Sequence, residues 1–268
     1  MIYLLADEDF NIFILIDYIL SLKINILFAR INDNTDYINI INNSPNDTFI
    51  FINQFFKIPI TDQPNVYILN VEQLSIQSNI DNIMNTPANI KLIDYSFSNI
   101  EYLKQLNRSC KYLPYQVNES EIFNYPKIQD VVSIGWESDR RLYIRTQLLQ
   151  KNIQVNHIDC VFGNERDQIL FKYKILVNVH FKEEYKVFEE MRCNRCIFNK
   201  MIVISEKSVH NENNRLKKYM IECEYSEIPD MVEKVLNGYD YYYYKLFTDF
   251  DNDLEEIKQY YAGFNNFL

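Results

Sequence analysis

An alternation that runs through almost the whole chain constrains its fold most. Short apolar runs bounded by Asp and Asn are each followed by a stretch with helical spacing. "MIYLLA" (1–6) precedes a helical pattern over 11–22, and "KINILFA" one over 35–43. "NVYILN" precedes "VEQLSIQSNIDNIMN", and "IKLIDYS" precedes "SNIEYLKQLNRS"; "DTFIFIN" and "CKYLPYQV" add two more strands. These runs are continuously apolar, as strands of a parallel sheet covered on both faces are. Strand–helix alternation of this kind predicts a doubly wound α/β layer.

The pattern lapses at "PYQVNESEIFNYPKIQD" (114–130), which reads as a linker. It then restarts. "DVVSIGW", "IQVNHID", "ILVNVHF", "MIVIS" and "YMIECEY" read as strands. Between them lie the helical stretches "SDRRLYIRTQLLQKN", capped by Ser138 or Asp139, "NERDQILFKYK", capped by Asn164, and "YKVFEEMRCNRCIFNK". "SEIPDMVEKVLNG" opens a further helix with Ser226, and the aromatic, acidic tail is helical. The organisation expected is a domain over residues 1–120, a second over 128–240 and a C-terminal helix over 241–268. Ligands of such folds sit beyond the carboxyl ends of the strands.

Composition narrows the function. With 47% hydrophobic and 15% aromatic residues the chain has ample material for a core. A net charge of -10 argues against general nucleic-acid binding, though one or two local arginines suffice for a small anion. The first twenty residues do not read as a secretory signal, and no apolar run is long enough to span a bilayer. Five cysteines, an odd count, fit free thiols in a reduced, intracellular setting.

Cys193-Asn-Arg-Cys196 has no second pair to complete a zinc site, and it lies within a helix instead of at the helix start that a redox pair favours. It reads as buried helix face. On the same helix Glu189 and Arg192 are three apart: either a solvated pair, or a pair projecting from the helix start into the crevice beyond "ILVNVHF". In "SIGWESDRR", Gly135 ends a strand, and Arg140 and Arg141 open a helix: either a place where a diphosphate docks, or, since one glycine is no Gly-x-Gly-x-x-Gly fingerprint, basic residues that are simply solvated. "VFGNERDQIL" reads mostly as helix-start chemistry, with Glu165 and Asp167 in the first turn, and the backbone around Phe162 and Gly163 can also approach a base. Asp7, Glu8 and Asp9 follow the first strand and can hold Mg²⁺, act as a general base, or stabilise a helix start.

Taken in order, "DVVSIGWESDRR", "VFGNERDQIL…KILVNVHF", "VFEEMRCNRCIFNKMIVISE" and "YSEIPDMVEKVL" resemble the donor half of GT-B-type glycosyltransferases, nearest to the CgeB-like and glycosyltransferase-group-1 sequences of giant DNA viruses. "NVEQLS", "IDYSFSNIEYL" and "YLPYQV" are weaker echoes in the first half. The resemblance implies an α/β, GT-B-like fold: two Rossmann-like domains facing across a cleft, with a UDP- or GDP-sugar held by the second domain, the acceptor by the first, and no metal or other cofactor.

Carried over by residue, Glu189 matches the helix glutamate that accepts from the donor ribose, with Arg192 one turn on. Gly135 matches the tight turn, and Arg140 or Arg141 the basic position at the diphosphate. Ser205 and Glu206 match the cleft edge, and Asn178 and His180 the sugar pocket. The glutamate that many members carry eight residues before the helix one is Phe181 here, so no stereochemical outcome is implied. His180, Asp7 and Asp9 are the catalytic candidates, with Glu8 and Glu72 as further bases by position.

The function expected is sugar transfer from a nucleotide-sugar to a glycan or protein hydroxyl, without a metal, nucleic acid or membrane span. The alternative is an inactive GT-B-like scaffold that binds nucleotide or, through "YDYYYYKLFTDF", a protein. The location implied is intracellular: host cytoplasm, or the virion for a viral source.

Overall fold

The computed structural model describes residues 1–7, 9–12, 15–31, 39, 41–53, 65–159 and 161–264. Two compact units emerge: Met1–Tyr115 with the chain from Tyr261 on, and Gln116–Tyr260.

In the first unit the strands are β1 (Ile2–Asp7), β2 (Ile26–Ile31), β3 (Thr48–Ile52), β4 (Val66–Asn70), β5 (Lys91–Asp94) and β6 (Lys111–Tyr112). They form one parallel sheet in the order β2-β1-β3-β4-β5-β6. All five residues of β4 are buried, as a strand covered on both faces requires, while the edge strand β2 leaves Leu27 and Phe28 exposed. The helices are α1 (Ile16–Ser21), α2 (Gln77–Asn85) and α3 (Phe97–Gln105). Ile80 and Ile83 of α2 and Leu103 of α3 close over Phe49, Phe51, Ile68 and Leu92. The Ser96 hydroxyl starts α3 by accepting from the Asn99 amide at 3.4 Å. The helical pattern expected over 35–43 lies largely outside the described residues; within it, residues 41–43 are helical.

In the second unit β7 (Gln129–Ile134), β8 (Val155–Ile158), β9 (Tyr173–Asn178), β10 (Ile202–Glu206) and β11 (Met220–Cys223) form a parallel sheet in the order β11-β10-β9-β7-β8. Its helices are α4 (Asp139–Gln150), α5 (Gly163–Leu170), α6 (Glu190–Phe198), α7 (Ile228–Asn237), α8 (Tyr239–Phe247) and α9 (Phe250–Ala262), the last two residues of α9 belonging to the first unit. Cys193 and Cys196, both without solvent exposure, lie in the core with Ile197, and burial pushes the Cys196 thiol up to about 12 and that of Cys193 well above its ordinary range. Neither is a reactive thiolate.

Local details differ from expectation where side-chain chemistry chose among candidates. Ser138, not Asp139, caps α4, its hydroxyl accepting from the Arg141 amide. Asn164 is the second residue of α5 and not its cap, which is Phe162. The helix expected from Tyr185 begins only at Glu190, because residues 186–189 run as a loop bound at the Lys186 carbonyl by the Val209 amide at 2.9 Å. Before α7, a reciprocal box between Glu224 and Glu227 takes the role expected of Ser226. The tail is two helices, α8 and α9. The linker segment is also packed: Asn199 accepts from the Phe123 amide at 2.6 Å and donates to the Glu121 carbonyl at 2.8 Å, and Phe123 stacks on Phe171.

Candidate functional site

In the second sheet β8 lies on one side of β7, and β9, β10 and β11 lie on the other. The connections therefore diverge at the carboxyl ends of β7 and β9, where open α/β sheets leave a crevice for ligands. Gly135 is the first residue past β7, with φ at +103°, a conformation that side-chain-bearing residues rarely adopt. Its amide donates to the Ile158 carbonyl at 3.1 Å, which ties the turn to β8.

Two guanidiniums close over this glycine. A Cβ placed on Gly135 would lie 2.9 Å from Arg192 Nη2 and 3.3 Å from Arg141 Nη1. Arg141 is buried and held by backbone: Nε donates to the Val179 carbonyl at 3.0 Å and Nη1 to the Trp136 carbonyl. Burial first, then the neighbouring Arg192 charge, lowers its pKa to about 10, so it stays cationic at neutral pH. Arg192 reaches across from α6. Its Nη1 donates to Asn178 Oδ1 at 2.8 Å, and its Nη2 lies 3.9 Å from the Glu189 carboxylate. Asn178 is itself fully buried and donates to Ser205 Oγ at 3.0 Å, so the ends of β9 and β10 aim Arg192 together. Like charges brought together in this way repel, and an anion placed between them relieves the repulsion. Glu189 stands at the N-cap of α6 and makes no side-chain cap bond, since its carboxylate faces Arg192 instead of the helix amides.

Arg140, next in sequence to Arg141, points elsewhere. It pairs with Glu206 and lies 4.0 Å above the Tyr225 ring, whose hydroxyl donates to the Arg140 carbonyl at 3.0 Å. The other Glu206 oxygen accepts from the His180 amide at 3.1 Å. Glu206 thus ties α4 to the end of β9. The His180 ring is buried, with Nε2 3.3 Å from the Lys207 carbonyl, and desolvation holds its pKa below the ordinary histidine value. The structure therefore keeps this ring neutral and away from solvent. Phe162 and Gly163 lie at the start of α5; Gly163 has φ at +62°, and a Cβ there would meet nothing within 4 Å.

In the first unit, Asp7 ends β1 and Asp9 follows it exposed; Glu8 lies outside the described residues. At the ends of β4 and β5 the stretches "NVEQLS" and "IDYSFSNIEYL" meet in a polar network. The fully buried Asp94 carboxylate accepts from Asn70 Nδ2 at 2.6 Å, Asn99 Nδ2 at 2.9 Å and the Ser96 amide at 2.7 Å. Both asparagines also donate to the Glu72 carbonyl at 2.9 Å, and Asn53 Nδ2 donates to the Glu72 carboxylate at 3.1 Å. This loop is held from below while Glu72 stays exposed. Among the described residues no three His, Cys, Asp or Glu side chains gather as a metal site requires, and no helix is long and apolar enough to cross a membrane.

No family model matches the chain. Relatives are found in Acanthamoeba polyphaga mimivirus. Uncharacterized protein L140 is 31% identical over 251 residues, 89% of this chain and 81% of that protein. Uncharacterized protein R358 is 30% identical over 210 residues, 72% of this chain and 73% of that protein. Uncharacterized protein L137 is 34% identical over 239 residues, but these make up only 31% of its length. Among solved structures, WaaG, a glycosyltransferase involved in lipopolysaccharide biosynthesis, aligns over 98% of both chains with a TM-score of 0.64 at 10% identity. AviGT4, a glycosyltransferase involved in avilamycin A biosynthesis, aligns over 97% of this chain and 98% of its own with a TM-score of 0.56 at 9% identity. T4 phage BGT, solved in complex with its UDP-glucose substrate, aligns over 99% of this chain and 98% of its own with a TM-score of 0.55 at 11% identity. At such identities the likeness is one of fold, and the fold is that of the GT-B glycosyltransferases.

Proposed function

From a chain that belongs to the family of mimivirus L140 and R358 and folds as GT-B glycosyltransferases do, we propose a glycosyltransferase that moves a sugar from a nucleoside-diphosphate donor to a hydroxyl acceptor. One observation carries the reading: Arg141 and Arg192 converge on the positive-φ turn at Gly135, at the point where the sheet's connections diverge. A diphosphate seated there receives two charge-assisted hydrogen-bond partners already oriented by Val179, Trp136 and Asn178. Glu189, an acceptor-only carboxylate at the start of α6, suits the vicinal hydroxyls of a ribose.

In the transfer step the acceptor oxygen bonds to the anomeric carbon. The bond from that carbon to the diphosphate oxygen breaks, and its electron pair goes to the diphosphate. The arginines stabilise the charge that grows on this leaving group, in the role that a bound cation fills elsewhere, so the reaction proposed is metal-independent. The acceptor proton passes to a general base, for which Asp7 and Asp9 are proposed from their place at and after the end of β1. Arg140, Ser205, Glu206 and His180 serve as the frame that holds the turn, and Phe162 and Gly163 as backbone against the base. Membership of the CgeB-like branch is part of the same proposal.

Isothermal titration with UDP, GDP and their sugars tests it. Binding in the micromolar range is expected, with Arg192→Ala and Glu189→Ala each about tenfold weaker or more. If no nucleoside diphosphate binds, or Arg192→Ala binds as tightly as the parent, the site is wrong. The scaffold reading has one observation on its side, the exposure of Tyr241 and Tyr244 on α8. Sugar transfer or donor hydrolysis in a nucleotide-sugar panel decides against it.

A further inference from the structure

The chain contains one tryptophan, and the fold mounts it immediately after Gly135. Trp136 is 59% exposed, and among the described residues its indole has no ring partner and its Nε1 no hydrogen bond. A lone exposed aromatic is ordinarily unremarkable. The backbone beneath this one is not ordinary. On one side the Gly135 amide is tied to Ile158, and the Trp136 carbonyl itself is gripped by the buried Arg141 guanidinium. On the other side Glu137 pairs with Arg145 and accepts from the Ser138 amide at 3.2 Å, and Ser138 caps α4. The backbone that carries the indole is thus already ordered before a ligand arrives, and contact costs only the side chain's own rotamer freedom.

We infer that Trp136 is a stacking platform for a pyranose ring beside the diphosphate site. This inference rests on the glycosyltransferase reading and names a subsite within it. Two features select a sugar over the nucleobase. Trp136 directly follows Gly135, the glycine over which both arginines close, and in a nucleotide-sugar the sugar is joined directly to the diphosphate, whereas the base is held off by the ribose. The chemistry also matches, because the C–H bonds on the flatter face of a pyranose carry partial positive charge and meet the negative face of the indole. The ring belongs either to the donor's transferred sugar or to an acceptor glycan.

Because Trp136 is the only indole, its emission reports on this subsite without interference. Titrations of the full chain, followed by fluorescence and calorimetry, use UDP, UDP-glucose, GDP and GDP-mannose. They also use maltotriose, lactose and chitotriose, each alone and with UDP present. The expected result is that at least one sugar-bearing probe shifts the emission where the bare diphosphate does not. Trp136→Ala should then weaken that probe about tenfold, and Trp136→Phe should recover part of the loss, while the affinity for UDP and GDP stays within about twofold of the parent. A response to UDP-glucose or GDP-mannose assigns the platform to the donor sugar, and a response to the free oligosaccharides assigns it to the acceptor. The inference is overturned if no sugar probe perturbs the indole, if Trp136→Ala binds every sugar probe like the parent, or if it loses the bare diphosphates equally. Failure of every nucleotide to bind overturns the parent reading instead, and the oligosaccharide titrations still decide the platform.

Discussion

Replacing Gly135 by alanine tests whether the turn exists to seat an arginine. The substitution has two separable effects. A side chain held at φ +103° costs roughly 1–3 kcal/mol of strain, which corresponds to a fall in melting temperature of roughly 3–10 °C. The new Cβ also meets Arg192 Nη2 at 2.9 Å. That atom ends a flexible side chain, so it moves aside at little cost in stability but leaves the position that the diphosphate needs. Losing one charge-assisted contact, worth about 1.5–3 kcal/mol, weakens UDP roughly 10- to 100-fold.

Thermal denaturation and calorimetric titration of Gly135→Ala, Arg192→Ala and the double variant separate the two effects. In the Arg192→Ala background, Gly135→Ala should still lower the melting temperature but cost no further affinity. Unchanged UDP binding by Gly135→Ala, or affinity losses that add fully in the double variant, would refute the reasoning.

Two further outcomes are expected. Burial raises the Asp94 carboxyl from 3.8 to about 7 although four donors pull against it, so between those values the folded chain binds more protons than the unfolded one. Stability from this group is therefore present in acid and falls as pH rises from about 4 through 7, by an amount on the order of a few kcal/mol. Urea midpoints of parent and Asp94→Asn from pH 5 to 8 should differ in slope with that sign, and parallel curves would rule it out. Arg140→Ala, which unpairs Glu206, should cost about 1.5–3 kcal/mol of stability in urea unfolding and leave UDP affinity nearly unchanged, the reverse of Arg192→Ala. Equal loss of nucleotide by both would move Arg140 into the binding surface.

Much of the second unit was legible because its elements are locally encoded. Apolar runs such as "ILVNVHF", punctuated by polar helices, announce parallel strands, and a glycine after "DVVSI" announces a sharp turn. The limits came wherever neighbouring residues offered equivalent chemistry. Ser138 and Asp139 are both good caps, and only the hydroxyl's approach to the Arg141 amide chose between them. Arg140 and Arg141 are interchangeable in sequence, yet successive residues of a helix point about 100° apart. One therefore meets Glu206 and Tyr225, while the other turns over Gly135. His180, marked by its place after a strand, is enclosed by the loop of Lys207 and Ser208, which no local pattern foretells.

The sequence by itself determined the strand–helix alternation, the parallel class of both sheets and the place of the glycine turn that follows β7, because each is written in a few neighbouring residues. The tertiary structure decided the rest. The order β11-β10-β9-β7-β8 makes the connections diverge between β7 and β9, and Asn178 and Ser205 carry Arg192 to a glycine 57 positions away (192 minus 135). The physical reason is that periodicity specifies which face of an element is buried but not which element will cover it. A site built where several strands end comes into being only when the chain closes on itself.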